Sequence, residues 1–288
     1  LRESISGWLA RRHQVQVDPD ATLPTIGSKE LVAWLPTLLG LGPGDTVVFP
    51  ELAYPTYDVG ARIAGATPVA ADSLTQLGPV RPGLLWINSP ANPTGRVLGL
   101  EHLRKVVSWA RERGVVVASD ECYLELGWEG ERPLSILHPE VCGGSHEGCS
   151  PCTPCRSVPT WPGTGRVSWP ATRPSSSSCS RPASTPMMVP APVQAAMRAA
   201  LDDDEHAEEQ KQRYAARRTQ LRDALEKAGW QITHSEAGLY LWASHPDYDA
   251  WGSVRVLAEQ GILVAPGEFY GPAGARHVRV AFTATDER

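Results

Sequence analysis

The chain has 288 residues, 42% of them hydrophobic and 20% charged, and a formal net charge of −5. That balance suits one large or two modest folded domains and argues against a protein that works by gripping nucleic acid or an anionic membrane through a basic surface. No apolar run reaches the roughly 18 residues that a membrane helix needs, and the opening Leu1-Arg2-Glu3-Ser4 is no signal peptide, so the expectation is a piece of a longer cytoplasmic protein.

In chain order, the first clear element is a helix over residues 27–40, with apolar positions at helical spacing and Gly40 as its stop. Residues 46–50 read as a short buried strand, 57–65 as a helix and 67–70 as a strand. Residues 84–88 form another apolar strand, which runs into a Pro- and Gly-rich turn at 89–95. An amphipathic helix over 100–113 closes at Gly114, and the apolar strand 115–120 stops on a carboxylate, Asp120. Strands and helices that alternate in this way predict an α/β fold with a mostly parallel sheet covered by helices. Residues 191–228 are helical: one segment at 194–201, then a charged helix through Lys211, Arg217 and Glu226 that is capped by Gly229. Apolar runs at 230–233, 238–242, 262–265 and 277–282 predict strands of a smaller α+β unit. The expected division is a large domain over 1–200 and a small C-terminal domain over 201–288.

One stretch breaks the pattern. Residues 149–186 contain no Asp, Glu, Lys, Leu, Ile, Phe or Tyr and are dominated by Pro, Ser, Thr, Cys and Arg. Such a composition cannot cover a core and predicts disorder. Four of the six cysteines fall here: Cys149, Cys152, Cys155 and Cys179. The first three have a spacing that would suit zinc or an iron–sulfur cluster, but Cys179 is distant and no histidine supports them, so no metal is expected. Cys122 and Cys142 read as small packing residues.

Polar residues gather where a parallel sheet puts its ligands, beyond the carboxyl ends of the strands. Gly27-Ser28-Lys29 opens a helix, and its free N–H groups suit a phosphate, though such a start is most often only a cap. Asn92-Pro93-Thr94-Gly95 follows one strand and is by itself a common turn. Asp120 ends another strand, three residues before Tyr123, where a helix cap would look the same. Tyr54 and Tyr57 follow the strand that ends at Pro50, a position where packing alone often puts a tyrosine.

Taken together in this order, the runs GSKELVAWLP, LAYPTYDVGARIAGA, INSPANPTG, SDECYLELGW and MMVPAPVQAAM resemble the class I/II aminotransferases of pyridoxal-phosphate-dependent fold type I. The likeness is greatest to the actinobacterial N-succinyldiaminopimelate aminotransferases, and it covers nearly all of the chain except 149–186. It implies a mostly parallel large domain, a smaller α+β domain and pyridoxal 5′-phosphate (PLP) as cofactor. By this resemblance the backbone of Gly27, Ser28 and Lys29 holds the phosphate and Tyr54 stacks on the pyridine ring. Asn92 and Tyr123 bond the ring 3-oxygen, Asp120 pairs with the ring N–H, and Arg279 takes the substrate α-carboxylate. The resemblance also implies amino acid and 2-oxo acid substrates, N-succinyl-L,L-2,6-diaminopimelate with 2-oxoglutarate in lysine synthesis, and a cytoplasmic homodimer. Neither nucleic acid nor membrane is an expected partner. Relatives of this kind carry further residues before the Leu1 equivalent and a terminal helix after the Arg288 equivalent, so a truncated N-terminus is expected.

The family's chemistry needs a lysine that forms a Schiff base with the cofactor and moves a proton, in a Ser-x-Ser-Lys run some tens of residues after the Asp-x-x-Tyr. That place is the odd segment. The four lysines are Lys29, Lys105, Lys211 and Lys227, and none stands there, so no catalytic residue is assigned. A shifted reading frame between about Gly148 and Met187 accounts for this. Across Thr153 to Gly165 the shifted codons permit Ser-Leu-Ser-Lys-Arg-Ser-Asn-Leu-Ala-Gly-Tyr-Arg, with the Trp161-Pro162 step forcing Ala. Two alternatives stand beside the aminotransferase reading: a silent remnant that at most binds PLP noncovalently, and another fold type I activity such as a β-lyase.

Overall fold

The computed structural model describes residues 1–152, 166–168 and 189–284. Two sheets organise them, one drawn from residues 22–168 and one from 231–281.

The larger sheet has seven strands: β1 (Thr22–Pro24), β2 (Thr46–Phe49), β3 (Thr67–Ala70), β4 (Leu84–Asn88), β5 (Val116–Asp120), β6 (Cys149–Cys152) and β7 (Arg166–Ser168). Their order across the sheet is β1-β7-β6-β5-β4-β2-β3. Strands β2 to β6 run parallel, while β7 is antiparallel to β1 and β6. The expected mostly parallel α/β sheet is present. Strand β4 is buried at every position, because helices cover both faces. Its residues alternate accordingly. Leu84 and Trp86 pack with Leu31 and Leu35 of α2 (Ser28–Leu38) and Tyr57 of α3 (Thr56–Ile63). Leu85 and Ile87 pack with Leu103, Val106 and Val107 of α4 (Leu100–Arg113) and with Trp8 of α1 (Arg2–His13). Helix α4 ends at Gly114, as expected, in the left-handed conformation that favours glycine. Gly60 lets α3 lie directly on α2: a Cβ there would sit 2.8 Å from the Val32 carbonyl oxygen and 3.0 Å from that of Ala33.

The smaller sheet is antiparallel, in the order β10 (Ala265–Pro266), β11 (His277–Ala281), β9 (Tyr240–Ser244), β8 (Gln231–Ile232). Leu241, Ala243, Val278 and Val280 share a core with Leu225 of α7 (Asp204–Lys227) and Leu257 of α8 (Ala250–Glu259). Period-2 alternation puts Tyr240, Trp242, His277 and Arg279 on the opposite face. Helix α6 (Ala191–Asp202) precedes α7, and the short α5 (Pro139–Cys142) lies between β5 and β6. Among the described residues, no helix is long and apolar enough to cross a membrane.

The structure departs from the sequence expectations in three places. Helix α1 precedes the first expected element. Residues 262–264 are not a strand: only Ala265 and Pro266 pair, and Leu263 is 89% exposed with no strand beside it to cover it. The disorder expected from residue 149 onward is corrected at both described parts of that stretch. Cys149–Cys152 extends the parallel sheet, from Val117 opposite Cys149 to Asp120 opposite Cys152, and Arg166–Ser168 pairs with β1. The ladder is made by backbone groups, so it tolerates the poor side-chain composition. Cys149 is itself buried in the core, and burial pushes its thiol up to about 11, away from the thiolate a metal needs. The rest of 149–186, including Cys155, Cys179 and the shifted-frame run, lies outside the described residues. Cys142 is buried, and Cys122 packs against the core beside Tyr123.

Candidate active site

Asp120 is the last residue of β5 and is buried. The Tyr57 hydroxyl donates to its Oδ2 at 2.8 Å, and the Cys122 N–H donates to Oδ1 at 3.2 Å. Tyr57 reaches this point from the first turn of α3, where it is fully buried and stacked on Trp86 with ring centroids 4.9 Å apart. Pro55 caps α3, so Tyr54 stands just outside the helix, its ring edge-on to Tyr57 at 6.0 Å.

Asn88, the last residue of β4, ties the strand ends to the turn that follows. Its Nδ2 donates to the Asp120 carbonyl at 2.8 Å and to the Pro90 carbonyl at 3.1 Å, and its Oδ1 accepts the Asn92 N–H at 2.7 Å. The turn holds cis peptide bonds before Pro90 and Pro93. It closes on Gly95 at φ 72°, where a Cβ would stand 2.5 Å from the Ala237 carbonyl oxygen. The Ala237 N–H donates to the Gly95 carbonyl at 2.9 Å, so the turn is stitched to the segment that leads into β9.

Arg279 comes from β11. Its Nη1 donates to Asn92 Oδ1 at 2.9 Å. The guanidinium carbon lies 3.9 Å from the centre of the Tyr240 ring and 5.0 Å from that of Tyr270, so the two rings bracket a cation. Its Nε is buried without a hydrogen-bond partner among the described residues. The Tyr123 hydroxyl donates to that of Tyr240 at 3.3 Å. Burial raises the Tyr270 hydroxyl pKa, against the pull of Arg279, with Tyr240 and Tyr54 also facing it. Asp120, Asn92, Tyr123 and Arg279 are therefore brought together through hydrogen bonds and ring contacts that span both sheets, and Tyr54 stands at their edge against the Tyr57 ring.

Gly27, Ser28 and Lys29 lie at the start of α2. Gly27 is its N-cap and supplies no side chain, so among the described residues no side chain caps the first-turn N–H groups, which suit an outside acceptor. Their tie to the network is packing: Leu31, one turn on, shares a core with Tyr57 and Trp86. The lysines are on helices: Lys29 on α2, Lys105 on α4, Lys211 and Lys227 on α7.

Several residues of the site were not singled out by the sequence. Tyr57 is visible in the motif, but its bond to Asp120 is not. Asn88 reads only as a strand end. Alternation puts Tyr240 on a face with Trp242 without saying what that face meets, and nothing in the sequence marks Tyr270. Glu121 is a further case. It is 1% exposed, accepts the Ile136 N–H at 2.7 Å and is bonded by the Ser119 and Ser135 hydroxyls. Burial still pushes its carboxyl up to about 7.

The donor set fits PLP. A buried carboxylate with its own donors faces the network, an aromatic ring stands beside it, and an arginine keeps a buried N–H unspent. An uncapped helix start adds N–H groups suited to a phosphate.

Comparison with known proteins agrees. The family model for Aminotransferase class I and II matches residues 1–288. A probable aminotransferase of Mycobacterium tuberculosis is 57% identical over 100% of this chain and 69% of its own length. The 4-dedimethylamino-4-oxo-anhydrotetracycline transaminase of Streptomyces rimosus is 53% identical over 100% of this chain and 80% of its own. Among solved structures, a probable N-succinyldiaminopimelate aminotransferase of Thermus thermophilus is 26% identical with a TM-score of 0.84, over 99% of this chain and 80% of that one. The two sheets are thus those of the PLP-dependent fold type I, and the chain belongs to the class I and II aminotransferase family, whose members are transaminases that use PLP.

Proposed function

We propose that the Asp120 network holds PLP and is built for amino transfer between N-succinyl-L,L-2,6-diaminopimelate and 2-oxoglutarate. When bound, the cofactor supplies an electron sink for the bond that breaks at the amino acid α-carbon. Asp120 would hold the proton on the pyridine nitrogen, since a buried carboxylate favours the charged ring. Tyr54 would cover the ring face. Asn92 spends its Oδ1 on Arg279, which leaves its amide N–H groups for the ring 3-oxygen, alongside Tyr123. The N–H groups of Ser28 and Lys29, with the backbone of Gly27, would take the phosphate. Arg279, flat and held between two rings, presents a planar donor edge to the substrate α-carboxylate.

The observation that carries this reading is the run of bonds from the Asp120 carbonyl through the Asn88 side chain to the Asn92 backbone, and from the Asn92 side chain to Arg279, at 2.8, 2.7 and 2.9 Å. The substrate is supported by relatives: an LL-diaminopimelate aminotransferase of Aquifex aeolicus at 32% identity and N-succinyldiaminopimelate aminotransferases of known structure at 25–26%. Exposed Ile26, Trp34, Val59 and Ile63 on and beside α2 and α3 support a second copy there, in a cytoplasmic homodimer.

A second reading rests on the lysines. None of the four occupies the family position, so the chain holds PLP without a covalent bond and turns nothing over. Equilibrium dialysis with PLP, followed by borohydride reduction and mass spectrometry, separates the readings. One PLP bound per chain, lost in Asp120→Ala, is expected, with no adduct on lysine. A chain that takes up no PLP overturns both. Formation of glutamate from 2-oxoglutarate, with the succinylated donor left as its 2-oxo acid, marks the transaminase, and pyruvate with ammonia marks a β-lyase.

A further inference from the structure

A cavity of about 340 Å³ is lined from both sheets and meets the Asp120 network at Asn88. It touches Ala91 and Thr94 of the turn but none of Tyr54, Asn92, Asp120, Tyr123 or Arg279. Its origin is in the strand pairing. β2 pairs with β3 over four positions but with β4 only at Val47–Leu84 and Val48–Leu85. Beyond Val48 the two strands part, and Leu85 to Asn88 line the gap. The chain also reverses its winding here, with β3 on one side of β2 and β4 on the other. Crevices beyond the carboxyl ends of strands at such a reversal are where open α/β sheets take ligands.

The walls are apolar: Val48, Leu74, Leu77, Leu85, Ile87 and Val106. Arg96 and His102 also line it, both exposed, and Arg96 makes no ion pair among the described residues. Asp72, also on the lining, accepts the Glu51 N–H on Oδ1 at 2.8 Å and makes no ion pair with Arg96 among the described residues. On the side of the smaller sheet, the His277 ring is stacked on Trp242 at 4.9 Å and its buried Nδ1 has no hydrogen-bond partner among the described residues. An apolar body with one anionic head matches this arrangement, and the volume is at the small end of the roughly 300–1,000 Å³ typical of ligand pockets.

We propose that this cavity is a second ligand site, which takes a small apolar carboxylic acid with its hydrocarbon body against Leu74, Leu77, Leu85 and Ile87 and its carboxylate at Arg96. The inference rests on the sheet and its lining, and is independent of the cofactor reading. The test is isothermal titration calorimetry on the full chain with octanoate and, as the uncharged control, octan-1-ol. Saturable binding of octanoate is expected. Arg96→Gln weakens it about tenfold or more, the usual range for losing a charged hydrogen bond, and leaves octan-1-ol unchanged. Leu74→Trp fills the cavity and abolishes both. No saturable binding of octanoate, or binding that either variant leaves intact, overturns the proposal. Arg96 is on the surface, so its replacement decides the matter even if the tryptophan variant fails to fold.

Discussion

Tyr57 acts as both a packing and a polar residue. Its ring lies on Trp86, and its hydroxyl serves one oxygen of a buried carboxylate. Tyr57→Phe keeps the ring and leaves Asp120 a donor short, so urea denaturation is expected to show a loss of about 1–3 kcal/mol. Glu121 gives a pH signature. Its carboxyl keeps its proton in the folded chain up to about pH 7 but loses it near the ordinary value of 4.5 when unfolded. The folded state therefore binds more protons between those values, and stability falls as pH rises through that window. The span is about 3 kcal/mol for a fully buried group. Asp120, the Ser119 and Ser135 hydroxyls, the Ile136 N–H and the protonated Cys149 thiol surround it. Glu121→Gln should flatten the stability–pH curve between pH 5 and 7; an unchanged slope would show that another group sets it. At this scale the sequence tells which polar residues cluster at strand ends. It does not tell which atoms meet, because Arg279 lies 187 residues from Asn92 and only the folded sheets bring them together.

The elements were legible wherever apolar spacing and a stop signal coincided. Helix α4 and its Gly114 cap, and strand β4, follow the sequence closely because core burial and local signals agree. The first helix was not anticipated, although Ile5, Trp8 and Leu9 make a buried stripe at helical spacing. It begins at the second residue and has no side-chain cap to announce it. Residues 262–264 failed the other way: an apolar run reads as a strand, but no neighbour is there to pair with it. The contact of α2 with α3 gives a prediction opposed to propensity. Glycine to alanine inside a helix ordinarily stabilises by up to about 1 kcal/mol. At Gly60 the new methyl would press on the Val32 and Ala33 carbonyls. Gly60→Ala should therefore cost about 1–3 kcal/mol, read as a lower urea midpoint at unchanged slope.

For the whole molecule, the Asp120 network is assembled while none of the four lysines stands in the family's Schiff-base position. Nucleotide sequencing across the codons for Gly148 to Met187 is expected to show compensating shifts of frame. A gene with the frame restored should yield a chain in which borohydride fixes PLP to a lysine, an adduct not expected of this chain; an unshifted gene would remove that account. Arg279, proposed to take the substrate α-carboxylate, gives a second test. Arg279→Lys loses the planar fork and the ring bracket, and should weaken binding of a dicarboxylic amino acid by about 1.5–3 kcal/mol while PLP uptake is unchanged. The Arg279 bracket also has a metric consequence. The guanidinium touches Asn92 through Nη1 alone, while Nη2 carries no bond among the described residues. An arriving acid can dock on that spare prong without dislodging the amide, so a rigid plane of fixed size is interposed between the two. An α-amino acid gripped there would have its nitrogen one carbon from the gripped carboxylate whatever the length of its side chain, so covalent geometry acts as a ruler, and an acid with its amine one carbon further along would misplace it however tightly its carboxylate was held.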